Sequence, residues 1–196
     1  MKKVITISRT YGSGGREIGI RLAARLNVPF YDKELISMIA KEGNFETAML
    51  EENDEVAPVF ENYTSYVVPP YYQIAMTEKI YKAQCKVIQD LAAKGPCVIV
   101  GRCANAILDD SIDIFIYADT QARLRRLARL NPDLSEQEIL GQMKAVDKKR
   151  AEYHTYYSGR EWGNLTDYDL CINSGLSGID GALRTVLTYA EGIADE

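Results

Sequence analysis

A glycine-rich stretch at residues 8–19 has the residue types and spacing of an anion-binding elbow. A short β-branched run at 4–7 precedes it and predicts a buried strand, while apolar residues at helical spacing follow it and predict a helix. Backbone N–H groups in such an elbow, with the positive end of the helix dipole, bind phosphate, and glycines let its oxygens approach. The residues expected to hold phosphate are Gly12, Ser13, Gly14, Gly15 and Arg16.

The stretch departs from the complete P-loop pattern, G-x-x-x-x-G-K-[ST]. With Gly14 on the second glycine, Gly15 stands at the lysine and Arg16 at the Ser/Thr that binds magnesium. Arg16 can replace the lysine's charge, because a guanidinium binds phosphate in a bidentate fork. Only Ser13 or a water is left to replace the magnesium hydroxyl. A dinucleotide-binding fingerprint fails, since Glu17 stands where its third glycine belongs, and an ordinary strand–turn–helix corner remains the alternative.

Two charged residues directly follow predicted strands. Asp32 follows a very short strand at 30–31 and is either the N-cap of a helix starting at Lys33 or a carboxylate in the ligand crevice of an open α/β sheet. Arg102 comes after 97–100, a continuous apolar run typical of a parallel strand buried on both faces. Its side chain is expected beside the glycine loop, unless it reaches solvent or pairs with an acid.

A basic and then aromatic segment at 147–166 is a candidate lid. It begins with Asp147, Lys148 and Arg150 and contains Arg160 among aromatic residues and glycines. Phosphoryl transfer needs positive charge over the transferring group, delivered by a segment that closes and excludes water. We assign Lys148 and Arg160 to this lid, with a solvated basic helix as the alternative.

The helix predicted over 121–130 is dense in arginine. Most of these side chains are expected on a solvated face, but any that point back toward the glycine loop would contact phosphate or adenine. They are Arg123, Arg125, Arg126 and Arg129.

The section at 43–72 changes character, being acidic and interrupted by proline, and is a candidate inserted subdomain. Its tyrosines either stack on a base or pack against the core or a partner subunit, and packing is the commoner role. They are Tyr63, Tyr66, Tyr71 and Tyr72.

Composition narrows the class of protein. The 196 residues suit one domain, and the net charge of −5 argues against a broad nucleic-acid surface. The cysteines form no C-x-x-C pair and His154 is the single histidine, which argues against a zinc site. No apolar stretch is long enough for a membrane span or a secretory leader, so the expected location is the cytoplasm.

Strands alternating with helices predict an α/β fold, a parallel sheet covered on both faces. The chain resembles the cytidylate kinase-like family within the P-loop nucleoside monophosphate kinases, and the resemblance covers nearly the whole chain. The motifs that carry it are ITISRTYGSGGREIG at 5–19, PFYDKELI at 29–36, VIVGR at 98–102 and YDLCINS at 168–174.

This resemblance implies a three-layer P-loop NTPase fold with a five-stranded parallel sheet, a small helical NMP-binding insertion (43–72) and a lid (147–166). It also implies ATP with Mg²⁺ as phosphoryl donor and a pyrimidine monophosphate, CMP or dCMP, as acceptor. The loop from Gly12 to Arg16 would then hold the donor phosphates, and Arg102, matching the arginine of a Gly-Arg-Asp motif, would grip the acceptor phosphate.

Other family motifs match in part. Asp147 and Arg150 match two positions of an Arg-Asp-x-x-Arg lid pattern, and Asp32 matches the aspartate of a Leu-Asp-Ser-Gly motif. On this basis Arg16, Arg102 and Arg150 are the candidate catalytic residues, and Asp32, Arg102, Asp147 and Arg150 the candidate substrate-binding residues. Lys33 and Glu34 replace the Ser-Gly pair, and Cys103 replaces the acid after Arg102.

Two other functions stay open from the sequence. A regulatory protein that binds nucleotides or anions without turnover would keep the glycine loop while lacking the lysine. A structural module would use the tyrosine-rich insertion to form a homodimer.

Overall fold

The computed structural model describes residues 4–52, 54–58 and 70–194, with the side chains of residues 51, 52, 70–73 and 194 outside that description. Tyr63 and Tyr66, and the side chains of Tyr71 and Tyr72, therefore lie outside the described residues. Their proposed stacking or packing stays a prediction.

Five parallel strands form one sheet in the order β2-β3-β1-β4-β5, as expected from the alternation of strands and helices. The central strand β1 pairs Ile5 with Val98 on one side and with Ile112 on the other. The strands are β1 (Val4–Arg9), β2 (Phe30–Tyr31), β3 (Val98–Val100), β4 (Ser111–Tyr117) and β5 (Leu170–Asn173).

Helices connect these strands. A single 3₁₀ turn, Leu165–Asp167, precedes β5, and Gly178 interrupts the last helix with φ 66° and ψ 171°. The helices are α1 (Gly15–Leu26), α2 (Glu34–Gly43), α3 (Thr47–Glu52), α4 (Pro70–Lys94), α5 (Ala104–Ile107), α6 (Thr120–Leu130), α7 (Glu136–Ser158) and α8 (Ser174–Ala194).

Apolar side chains cover both faces of the sheet. Ile18 and Leu22 of α1 pack with Val186 of α8 on one face, and Leu35 of α2 packs with Ile88 of α4 on the other. The molecule therefore has three layers, with the carboxyl ends of all five strands at one edge. The glycine loop, Asp32 and Arg102 follow β1, β2 and β3 and meet at that edge.

Local capping follows the sequence in some places and not in others. Asp119 accepts a hydrogen bond from the N–H of Ala122, and Ser135 forms a capping box with Glu138. Asp32, by contrast, does not cap α2, because that helix begins at Glu34 and Lys33 occupies the N-cap without a side-chain bond. Of the two roles open for Asp32, the structural cap is therefore wrong.

The first half of the predicted lid is not a separate loop. Residues 147–158 are the second half of α7, a continuous helix that Gly159 ends in the left-handed conformation with φ 69°. The lid role of 147–166 stays a prediction. Within the described ranges, no helix combines the length and the apolar character needed to cross a membrane.

Candidate functional site: a glycine loop facing buried arginines

The glycine loop is held rigidly between β1 and α1. Gly12 and Gly14 have φ values of 82° and 84°, in the left-handed region that favours glycine. The Ser13 hydroxyl is buried and donates to the carbonyl oxygens of Thr10 at 2.8 Å and Ile116 at 3.1 Å. Ser13 therefore braces the loop, and the first N–H groups of α1, which have no partner within their own helix, are available to an anion.

Helix α6 packs over this loop and brings two arginines to it. A methyl group at Gly12 would lie 2.8 Å from Leu127 Cδ1, and one at Gly14 would lie 3.4 Å from Arg126 Cζ. Arg126 pairs with Glu17, and Arg123 donates to the Tyr11 carbonyl oxygen at 3.3 Å. The sequence left open whether the arginines of this helix face solvent or the glycine loop. Arg123 and Arg126 lie at the loop.

Arg16 is oriented by Asp32. Its Nε lies 2.6 Å from Asp32 Oδ2, while half of the Arg16 side chain is exposed and Asp32 is buried. The bond uses Nε and leaves the two Nη groups for a ligand, and Arg16 lines the cleft. Arg16 thus fits the phosphate-binding role predicted for it, and Asp32 takes the crevice position.

Charged side chains of opposite sign meet beside the loop. This arginine–carboxylate cluster consists of Arg9, Arg102, Arg150, Asp32, Asp54 and Glu55. Arg102, 2% exposed, donates from Nη1 to the Asp32 carbonyl oxygen at 2.7 Å, and its Nη2 lies 2.8 Å from Asp54 Oδ2. Arg102 lies at the predicted sheet edge and pairs with acids there.

Glu55 lies at the centre of the cluster. Its Oε1 accepts hydrogen bonds from Arg9 Nη1 at 2.8 Å and from the Arg102 backbone N–H at 3.0 Å, and its Oε2 accepts one from Arg150 Nε at 3.2 Å. Burial alone would raise the pKa of Glu55, but the guanidinium groups of Arg9 and Arg150 outweigh it and hold that pKa well below its usual range. Burial raises the pKa of the neighbouring Asp54, and Arg102 only partly offsets this.

The lowered pKa of Glu55 predicts an acid-dependent loss of stability. Since its pKa is lower in the folded chain than in the unfolded chain, its contribution is complete above about pH 5 and declines as the pH falls below the ordinary value of about 4.3. Urea unfolding of wild type and Glu55→Gln between pH 7 and pH 3 checks this. The difference in unfolding free energy should be constant down to about pH 5 and then shrink. A difference unchanged at pH 3 would contradict it.

The candidate lid residues separate into two groups. Asp147 accepts the Tyr11 N–H at 2.7 Å and pairs with Arg123, and Arg150 lines the cleft. Lys148 is 76% exposed and lies 3.6 Å from Glu152, and Arg160, 55% exposed, lies 4.0 Å from Asp167. Neither Lys148 nor Arg160 lines the cleft in the described part of the chain, so the structure does not bring them to the loop.

The glycine loop and most of the cluster line one open cleft of about 640 Å³. Arg102 does not line it but a small adjoining pocket, which it shares with Arg9, Glu55 and Arg150. A second cleft, of about 730 Å³, lies along α6, and Arg126 lines both. Residues lining the second cleft include Ala118, Gln121, Arg125, Ser174, Gly175 and Ile179.

The residues at the loop do not fit a magnesium ion held by a P-loop hydroxyl. Arg16 stands at the hydroxyl position, and the Ser13 hydroxyl is committed to two backbone carbonyl oxygens. Among the residues described, no three His, Cys, Asp or Glu side chains are grouped to hold a metal ion. The positive charge that the chain itself brings to the cleft comes from the arginines and from Lys33, which also lines it.

Sequence reasoning missed Arg9, Asp54, Glu55 and the direction of Arg123 and Arg126. Arg9 carried the same signal as Arg102, a charged residue at the end of a buried strand. Arg123 and Arg126 are three residues apart on one helix face, so one of them near the loop implies the other. Glu55 gave no such signal, because its partners are 46 or more residues away in the chain.

Comparison with known proteins defines first the class and then the family. A crystal structure of an uncharacterized protein from Eubacterium ventriosum ATCC 27560 is 29% identical, covers 97% of this chain and 99% of its own, and superposes with a TM-score of 0.75. Shikimate kinase from Bacteroides thetaiotaomicron is 16% identical, with coverage of 97% and 99% and a TM-score of 0.55, a likeness of fold alone. The chain has the three-layer α/β fold of P-loop NTPases.

The family follows from the sequence profile. The cytidylate kinase-like family matches residues 4–176, and the chain belongs to that family. A search of curated proteins gave no match. The resemblance and the five-stranded parallel fold predicted from the sequence are thereby confirmed.

Proposed function

We propose that the protein transfers the γ-phosphoryl group of ATP to a small acceptor, a pyrimidine nucleoside monophosphate such as CMP or dCMP. The observation that carries this proposal is a single cleft with two anion-binding sides. One side is the glycine loop with Arg16, and the other is the pair Arg9 and Arg150, with buried Arg102 behind them.

The donor side suits a nucleoside triphosphate. Helix N-terminal N–H groups and the Arg16 Nη atoms would bind its phosphates, and Arg126 would lie beside them. The second cleft, which reaches Arg126 from the other side of α6, would hold the adenine between α6 and the residues after β5. ATP as donor is supported by family membership and by the position of Arg126, which lines both clefts.

The acceptor side suits a phosphate monoester. The guanidinium groups of Arg9 and Arg150 line the cleft there, with the buried Arg102 behind them, and guanidinium forks match phosphate geometry. Asp32, buried between Arg16 and Arg102, would orient one arginine on the donor side and one on the acceptor side. The pyrimidine base is supported by membership of the cytidylate kinase-like family.

The reaction needs positioning and charge balance more than a protein nucleophile. An oxygen of the acceptor phosphate attacks the γ-phosphorus, the bond to the oxygen bridging the β- and γ-phosphorus breaks, and ADP leaves with that oxygen. Arg16 on the donor side and Arg102 and Arg150 on the acceptor side would balance the charge on the transferring group. This assigns to arginines the role that the absent lysine fills elsewhere.

A panel of acceptors tests the proposal. Purified protein with MgATP should consume ATP faster with CMP or dCMP than with UMP, AMP, GMP or no acceptor, by about tenfold or more, as for a site that hydrogen-bonds one base. The measurement is ADP release at equal acceptor concentrations. Equal, acceptor-independent release in all samples would contradict the proposal.

A second function has one specific observation in its favour. Gly15 replaces the lysine, and the Asp147 carboxylate holds the Tyr11 N–H at the start of the loop. A regulatory protein that binds nucleotide without turnover would show such a loop. ATP or CMP raising the melting temperature, with no ADP formed under any condition, is the result that would favour it.

A further inference from the structure

The cluster contains an anion site. Its hydrogen-bond donors lie on or next to β1, β3 and α7, and the carboxylate that they bind lies in the candidate insertion. The donors are Arg9 at the end of β1, the Arg102 N–H after β3 and Arg150 on α7. The occupant, Glu55, lies between α3 and α4, in the acidic section that the sequence marks as an insertion. We call these three donor groups the Glu55 cage.

The cage has the chemistry of an oxyanion site. Two guanidinium groups and one backbone N–H converge on one carboxylate, at donor–acceptor distances of 2.8, 3.0 and 3.2 Å. Such charge-assisted donors bind phosphate oxygens as readily as carboxylate oxygens. The Glu55 side chain is 13% exposed, and Glu55, Arg9 and Arg150 all line the open cleft, so a ligand can reach the cage.

The backbone on both sides of the cage is unusual. Glu55 and Arg102 both have φ of 54°, in the left-handed region that residues other than glycine rarely adopt. A methyl group at Gly101 would overlap Arg9 Nη1 and Glu55 Oε1, so the end of β3 leaves just enough room for this pair. Strain of this kind persists where the surroundings over-determine it, typically at ligand sites and switches.

Asp54 repeats the arrangement one residue earlier. Its Oδ2 lies 2.8 Å from Arg102 Nη2, so two consecutive carboxylates, Asp54 and Glu55, pair with the arginines of the cluster. An incoming phosphate cannot use Arg9 Nη1, Arg150 Nε or the Arg102 N–H while Glu55 accepts their hydrogen bonds.

We propose that the Glu55 cage is the binding site for a phosphate group of the acceptor and that Glu55 is an internal competitor that the acceptor must displace. This deepens the proposed function and rests on it for the identity of the ligand, whereas the anion site itself does not depend on turnover. The apparent affinity for phosphate equals the intrinsic affinity of the free cage multiplied by the fraction of molecules in which the cage is free.

Calorimetric titration with inorganic phosphate tests the competition. Glu55→Gln keeps the shape of the side chain and removes its charge, and should bind phosphate about tenfold more tightly than wild type. Glu191 is exposed and does not line the cleft, so Glu191→Gln, which removes the same charge, should bind phosphate like wild type. Because phosphate also binds the glycine loop, the gain must disappear in the double variant Glu55→Gln/Arg150→Ala, which lacks one cage donor.

A shorter acid keeps the test valid if Glu55→Gln is too unstable to purify. Glu55→Asp retains the charge but cannot span the cage, and should bind phosphate several-fold more tightly than wild type. Affinity equal to wild type in a folded Glu55 variant, or a gain that survives Arg150→Ala, would overturn the inference.

The same variants separate this inference from the proposed function. Tighter phosphate binding by the Glu55 variants without turnover of any acceptor would support the anion site and contradict the proposed kinase activity. Turnover of CMP with phosphate affinity unchanged in Glu55→Gln and Glu55→Asp leaves the kinase standing and removes the competitor.

Discussion

Arg16→Ala is expected to lower ATP-dependent turnover about a hundredfold or more, because it removes the positive charge nearest the place of the missing P-loop lysine. The Arg16 side chain is half exposed, and among the described residues its ion pair is with Asp32, so the fold should persist. The rate of ADP formation with CMP as acceptor, at saturating MgATP, measures the effect.

The matched control lies on the same helix. Arg25 is exposed in the last turn of α1 and does not line the cleft, so Arg25→Ala should turn over like wild type. An Arg16→Ala rate within a factor of about two of both would show that Arg16 takes no part in the transition state.

Arg102→Ala is expected to lower the free energy of unfolding by about 3–5 kcal/mol, because it leaves the buried Asp32 and the adjoining Asp54 short of a cation. The change also removes the donors to the Asp32 carbonyl oxygen. Urea unfolding at pH 7 measures the loss. It should exceed that of most single surface substitutions severalfold.

An exposed arginine is the reference for this measurement. Arg184→Ala on α8 should change the unfolding free energy by no more than about 0.5 kcal/mol. Equal unfolding midpoints for Arg102→Ala and Arg184→Ala would show that the cluster does not depend on Arg102 for its charge balance.

Much of the fold was predictable, because a parallel strand buried on both faces has a continuous apolar sequence. The apolar run before Arg102 gave β3, and a charged residue after a buried strand gave the sheet edge, where Arg102 lies. The glycine spacing gave the loop, where Gly12 and Gly14 take the left-handed conformation. Each of these inferences depends on residues close together in the chain.

The arrangement of charges was not predictable in the same way. Whether Asp32 caps a helix or binds arginine depends on where Arg16 and Arg102 come to lie, and only the assembled sheet decides that. The direction of Arg123 and Arg126 depends on how α6 packs over the loop. Glu55 lies in an acidic segment whose local sequence is typical of a solvated surface, and its arginine partners are distant in the chain.

The lid assignment shows the limit of charge density as a signal. Lys148 and Arg150 are neighbours in a basic run, but successive residues of a helix point in different directions. Arg150 therefore lines the cleft while Lys148 is exposed. The helical phase of α7, which the run of cations did not reveal, separates the two.

In the proposed reaction, a glycine loop with arginine in place of lysine supports phosphoryl transfer to a nucleoside monophosphate. Phosphorus NMR of the protein with MgATP and CMP tests it most directly, because it identifies where the γ-phosphoryl group goes. ADP and CDP should appear in equal amounts, and Arg16→Ala should slow the formation of both. ADP forming together with free phosphate and without CDP, or no change in ATP at all, would contradict it.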